Sequence, residues 1–166
     1  MAPSSTPPPR HSLARDLNGQ FSAAWSLLGD AIGDILDDQW RTGESDHLVP
    51  ARLALHIIET AEHYSSEDPA SYRWGARFNL DWESAPSQNL PGQHDIQRYL
   101  ADVKKQVREW IEKQGDDGLL APDSHYGGEG MSHFDRAAYL LRHTHHHIGE
   151  LCAELRRRGI PRPRWR

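Results

Sequence analysis

One cysteine, Cys152, stands among 166 residues. A lone thiol excludes an internal disulfide and any Cys-rich zinc site, and it suits a reducing, cytoplasmic setting. No apolar run approaches the ~18 residues that span a bilayer, so no membrane partner is expected. Apolar residues make up only 37% of the chain and mean hydropathy is -0.78, so the core must come from narrow, well-patterned stripes. Lysine is scarce: of 19 basic residues only Lys104, Lys105 and Lys113 are lysines. The formal net charge of -5 with 26% charged residues describes an ordinary water-facing surface, not a nucleic-acid binder. Strand-like alternation, internal repeats, a P-loop, a G-x-S-x-G elbow and a dinucleotide fingerprint are all missing. The Pro/Ser-rich start, Met1–Arg10, lacks the apolar middle of a signal peptide. Residues 1–11 read as a disordered tail.

What is present is helical periodicity. Leu13, Leu17, Phe21, Ala24, Leu28, Ile32 and Ile35 recur by threes and fours, predicting one long amphipathic helix over 12–40. A turn follows at Arg41–Asp46. Pro50 suits the first position of a second helix, with the stripe Leu53, Ile57, Thr60, Ala61 and Tyr64, ending before Pro69. Residues 70–93 read as an irregular loop carrying Trp74, Phe78, Leu80 and Trp82, long enough to suggest a function. A third helix starts near Asp95, with Ile96, Leu100, Val103, Val107, Trp110 and Ile111 inward, and Gly115 and Gly118 stop it. After the Gly127-Gly-Glu-Gly130 loop, Ser132 and Asp135 form an acidic capping box. The last helix carries Ala137, Leu140, Thr144, His147, Ile148, Leu151 and Leu155, and ends at Arg156-Arg-Arg158 before Gly159 and Pro161. The expectation is an all-α four-helix bundle over 12–158 with a basic, frayed tail over 159–166.

Eleven histidines are a large excess, and four fall in the five positions 143–147. At about 100° per residue, His143 and His147 lie roughly 40° apart on one helix face. That spacing lets two imidazoles meet one metal ion. His147 occupies a stripe position where Leu would be expected, His143 borders the stripe, and His56 is inward on the second helix. A buried imidazole costs free energy unless its nitrogens are satisfied. A divalent metal satisfies three at once, and neutral imidazole suits zinc, nickel, copper or iron. Three nitrogen ligands leave an open position, as catalytic sites do. A single inward His is nonetheless more often a satisfied core residue. His145 points away and reads as a solvated or packing residue, His146 as a neighbour of the site, and His133 as remote. Gly149 reads as a point of close helix approach. Glu150 either hydrogen-bonds a ligand His, takes a proton from metal-bound water, or pairs with Arg157 or Arg158. Glu59 and Glu62 each either orient His56 or are surface charges, with the surface reading favoured for Glu62.

Leu141-Arg-His143-Thr-His-His-His147-Ile-Gly-Glu-Leu151 resembles the last-helix motif of the DinB/YfiT-like superfamily, His-x-x-x-His followed by x-Gly-[Gln/Glu]-[Leu/Ile]. Leu53-Ala-Leu-His56-Ile-Ile-Glu-Thr-Ala-Glu62 is similar to its second-helix segment, which carries a third His. The rest of 12–158 matches in pattern only. The resemblance implies an up-down-down-up four-helix bundle with a long loop between helices 2 and 3. It implies His56, His143 and His147 as ligands of zinc or nickel, with iron or manganese as further options, and homodimers as in many relatives. It also implies an enzyme for a small-molecule substrate: a transferase using a low-molecular-weight thiol, or a metal-dependent hydrolase. The catalytic residues are unassigned beyond the candidate Glu150. The alternative is a non-catalytic, stress-associated metal-binding or assembly protein. No nucleic-acid partner is expected; the basic tail with its Trp is the only feature that points to one.

Overall fold

A computed structural model describes residues 11–126, 130–161 and 163–165. It is all-helical, with no strand among the described residues. The elements are α1 (Leu13–Gly33), the single turn α2 (Asp37–Trp40), α3 (Pro50–Tyr64), α4 (Gln93–Leu120) and α5 (His133–Arg157). Short 3-10 turns lie at Asp46–Leu48, Pro69–Ser71 and Ser87–Asn89.

The expected 12–40 helix is interrupted. α1 ends at Gly33, and the chain is extended at Leu36 before α2 starts. The Gln93 side-chain amide donates to the carbonyls of Ile32 and Ile35, so the open end of α1 is satisfied from the start of α4. α3 begins at Pro50 as expected. α4 starts two residues before Asp95, and Gly115, at φ 61° and ψ -175°, breaks its regular path before the final turn to Leu120. α5 carries the full reciprocal capping box between Ser132 and Asp135. The Gly-rich loop falls largely on 127–129, outside the described residues; its last member, Gly130, has φ +91°.

The helices pack α1 on α4, α4 on α3, α3 on α5 and α5 on α1. Polar contacts fix their directions. Asp116, late in α4, accepts from the Ser12 hydroxyl and the Ala14 N–H at 2.9 Å each, so α1 and α4 run antiparallel. Gln106 of α4 donates to Glu62 O and Ser65 Oγ at the end of α3, both at 2.9 Å, while Arg52 near the start of α3 grips the chain leading into α4. α3 and α4 therefore run together. Arg136, early in α5, donates to Tyr64 O at the end of α3 (2.6 Å), which sets α5 antiparallel to α3. Arg158, just past α5, donates to Gln39 O beyond the end of α1 (2.6 Å).

The core holds the predicted stripes: Phe21, Leu28 and Ile32 of α1, Ile57 of α3, Ile96, Val103 and Ile111 of α4, and Leu140, Ile148 and Leu151 of α5. α3 is the most enclosed element. Every residue from Pro50 to Ala61 is buried except His56. Described residues of the tail over 159–166 make contacts with the rest of the chain. Ile160 packs against the core, Pro163 is buried, and the Trp165 ring lies 5.3 Å from that of His145.

Candidate metal centre

Three imidazoles converge where α3 and α5 face each other. The His56 ring centroid is 4.9 Å from His143 and 4.6 Å from His147, and His143 and His147 are 4.4 Å apart. One ring nitrogen from each lies within 4.8 Å of the others, a set able to hold a metal ion. The i, i+4 spacing on α5 produces the pair, and the gap in the burial of α3 delivers the third.

The donor set fits a divalent cation. His56 Nε2 and His147 Nε2 stand 3.2 Å apart, close to the ~3.3 Å between two nitrogens bound tetrahedrally at about 2.05 Å. His143 Nδ1 is buried with no hydrogen-bond partner. Such an orphan costs free energy unless something beyond the side chains meets it. Burial, with His147 and then His143 adding repulsion, pushes the His56 pKa down to about 3. Burial followed by His147 and His146 takes His143 down to about 4. Both rings are therefore neutral at pH 7, as metal ligation requires.

The partners of the trio are partly those anticipated. Glu150 Oε2 sits 2.7 Å from His147 Nδ1, so of its three readings the hydrogen bond to a site His is the one observed. Arg157 and Arg158 instead pair with Glu154. Exposed His146 reaches the other Glu150 oxygen at 3.6 Å, so His146, His147 and Glu150 form an overlapping group. His145 belongs to the opposite side, against Trp165. His133 is remote, with Nδ1 3.0 Å from Gly118 O. A Cβ added at Gly149 would meet nothing within 4 Å, so no close helix approach explains it.

Two carboxylates depart from expectation. Glu59 is buried but does not touch His56; its Oε1 accepts from the Gly75 N–H, and burial raises its pKa. Glu62 is no free surface charge, because it accepts from the hydroxyls of Tyr72 (2.7 Å) and Tyr99 (2.5 Å). Residues distant in sequence enclose it, which helical spacing cannot reveal.

Three further side chains neighbour the trio. Thr60 Oγ1 lies 3.5 Å from His56 Nδ1; its i+4 position was the available signal. Trp82 packs on His56 with ring centroids 4.0 Å apart, which makes the aromatic loop a wall of the site. The Tyr139 ring lies 6.1 Å from that of His143, with planes 30° apart. No family model matches the chain, and neither the curated proteins nor the solved structures contain a significant match.

Proposed function

We propose that this chain is a DinB/YfiT-like four-helix bundle, up-down-down-up, in which His56, His143 and His147 hold one divalent cation, zinc or nickel, at the centre of a metal-dependent enzyme. The observation that carries the reading is the convergence of three imidazoles from two helices, with a carboxylate on the back of one. The packing order α1–α4–α3–α5 and the pairwise helix directions support the bundle type.

A cation in this position supplies Lewis acidity to a small-molecule substrate. The chain's own residues do the rest. Thr60 and Glu150 sit on the Nδ1 atoms of His56 and His147, which orients both rings. Trp82 covers one face of His56 and excludes water there. The reaction this supports is transfer of a low-molecular-weight thiol to an electrophile, or hydrolysis. One observation favours the non-catalytic alternative: both Glu150 oxygens already face His146 and His147.

Metal analysis of protein purified from metal-replete medium tests the proposal. About one equivalent is expected in the wild type, and His56→Ala and His147→Ala should lose it while keeping helical circular dichroism. A wild-type protein without stoichiometric metal sinks it.

A further inference from the structure

The row of histidines on α5 does not stop at the trio. The His146 ring lies 4.9 Å from that of His147, which in turn lies 4.6 and 4.4 Å from His56 and His143. Exposure falls along the row: the side chain of His146 is 67% exposed, that of Glu150 36% and that of His147 19%. Imidazoles thus run without a break from solvent to His56, which Trp82 covers.

Glu150 turns the outer end of this row into a donor set. Its Oε1 lies 3.6 Å from His146 Nε2, and its Oε2 lies 2.7 Å from His147 Nδ1. Glu150 stands four residues from His146 and three from His147, the two spacings that bring side chains together on a helix. One donor atom from each of the three lies within 4.8 Å of the others. Two donors bound tetrahedrally at about 2.05 Å stand ~3.3 Å apart, a value that the two observed separations bracket. Two imidazoles and a carboxylate are also a set that zinc accepts. No fixed cation competes for Glu150. Arg157 and Arg158 are held by Glu154, and the ion pairs of Glu150 among the described residues are with the two histidines alone.

His147 belongs to both sets. Its Nδ1 faces Glu150, and its Nε2 faces His56 Nε2 at 3.2 Å. A neutral imidazole has one free lone pair, on the nitrogen that lacks the proton. His147 therefore serves one set at a time. With a cation on Nδ1, the ring proton sits on Nε2 and is donated to His56. With a cation on Nε2, it sits on Nδ1 and is donated to Glu150. Each arrangement leaves the ring neutral and both its nitrogens satisfied.

We propose that His146, His147 and Glu150 form an outer cation site, which captures a divalent cation from solvent and hands it through His147 to the inner trio of His56, His143 and His147. The handover rests on the trio's holding a cation; capture by the outer set does not.

Titration of the metal-free full chain with zinc against a chelating dye tests the capture. His56→Ala/His143→Ala dismantles the inner set and should still bind one zinc, at least about tenfold more weakly than the wild type, a step of one modest ligand interaction, so that dialysis removes it. Adding His146→Ala and Glu150→Gln should abolish that binding. Stopped-flow mixing with zinc tests the handover. His146→Ala should load at least about tenfold more slowly, with the final affinity of the wild type. His145→Ala, on the opposite side of α5, should load as the wild type does. Zinc binding in the double variant that survives loss of His146 and Glu150, or a His146→Ala loading rate equal to that of the wild type, overturns the proposal. Tight binding by the wild type with none by the double variant overturns it and leaves the trio reading intact. Equally weak binding by both overturns the trio reading and the handover together.

Discussion

His147 uses both ring nitrogens: Nδ1 faces Glu150 at 2.7 Å and Nε2 faces His56 at 3.2 Å. A carboxylate on Nδ1 keeps the proton there and leaves the Nε2 lone pair free. In the proposed centre, Glu150→Gln should therefore weaken metal binding by about 10–100-fold, read by competition with a chelating dye. An unchanged affinity would remove Glu150 from the site. The neutral rings also set an acid limit. Unfolded imidazole takes up a proton near 6.5, whereas His143 and His56 resist protonation down to about 4 and 3. Between those values the unfolded state binds more protons, so the contribution is complete above 6.5 and is lost as pH falls towards 3. Melting temperatures of metal-free protein should drop across this interval, and less steeply in His56→Leu. Arg136 is the other exacting residue. It is 3% exposed, lies 3.3 Å from the fully enclosed Asp123 carboxylate, and lies over the rings of Trp110 and Tyr126 at 4.6 and 4.8 Å. Arg136→Met leaves Asp123 charged and unpaired, which should cost about 3–5 kcal/mol in urea unfolding. Pairing it with Asp123→Leu should recover part of that loss, because the stranded charge is gone.

The chain between α3 and α4 is held as one piece by two buried charges on α3. Arg52 donates to the carbonyls of Trp82, Glu83 (3.0 Å) and Ala85 (2.7 Å). Glu59 holds the Gly75 N–H. At Gly75, φ is +76°, and an added Cβ would come within 2.2 Å of Leu80 O, so no other residue fits that turn. Together they place Trp82 on His56. Arg52→Met should release the loop: trypsin should cut at Arg73 and Arg77 faster than in the wild type, while α3 and α5 stay folded. Equal cutting rates would mean that aromatic packing alone holds the loop. The end of α5 is clasped in the same way. Glu154 is 3% exposed and binds Arg157 and Arg158 at 2.7 Å each, and Arg158 carries the contact on to Gln39 O. The Arg157 hydrogen bond, followed by those of Arg158, holds the Glu154 carboxyl down at about 2. A depressed carboxyl stabilises the fold fully above its ordinary value of 4.5 and gives that up as pH falls towards 2. Glu154→Gln should lower stability by about 1–3 kcal/mol at pH 7, and the gap to the wild type should close on acidification.

At the level of the whole molecule, the sequence carried the helices and the trio but not their neighbours. The stripes were legible because Phe21, Leu28, Ile57, Val107 and Leu151 repeat with the helix period and are buried accordingly. His143 and His147 were legible because one helix turn brings them together, and His56 because it interrupts an otherwise apolar stretch. Periodicity is silent on which helix lies against which. It could not show that Gln93 would satisfy the end of α1, that Tyr72 and Tyr99 would enclose Glu62, or that Trp82 would reach His56. The trio joins α3 to α5, which are not consecutive in the chain, so a bound cation would act as a cross-link between them. Free metal at 100 times its dissociation constant stabilises a folded site by about 2.7 kcal/mol. At roughly 2–4 °C per kcal/mol for a chain of this size, metal-free protein should melt about 5–10 °C below metal-loaded protein. Leu28→Ala, which opens a hole in α1 away from the trio, should lower both forms equally, because it leaves the metal's grip on α3 and α5 unchanged. A metal of catalytic purpose predicts that chelation ends turnover of a thiol with an electrophile, or of a hydrolysable substrate, at temperatures where the metal-free chain is still folded. A metal of purely structural purpose predicts the melting shift with no turnover to lose, and scanning calorimetry run beside the assay at one temperature separates the two.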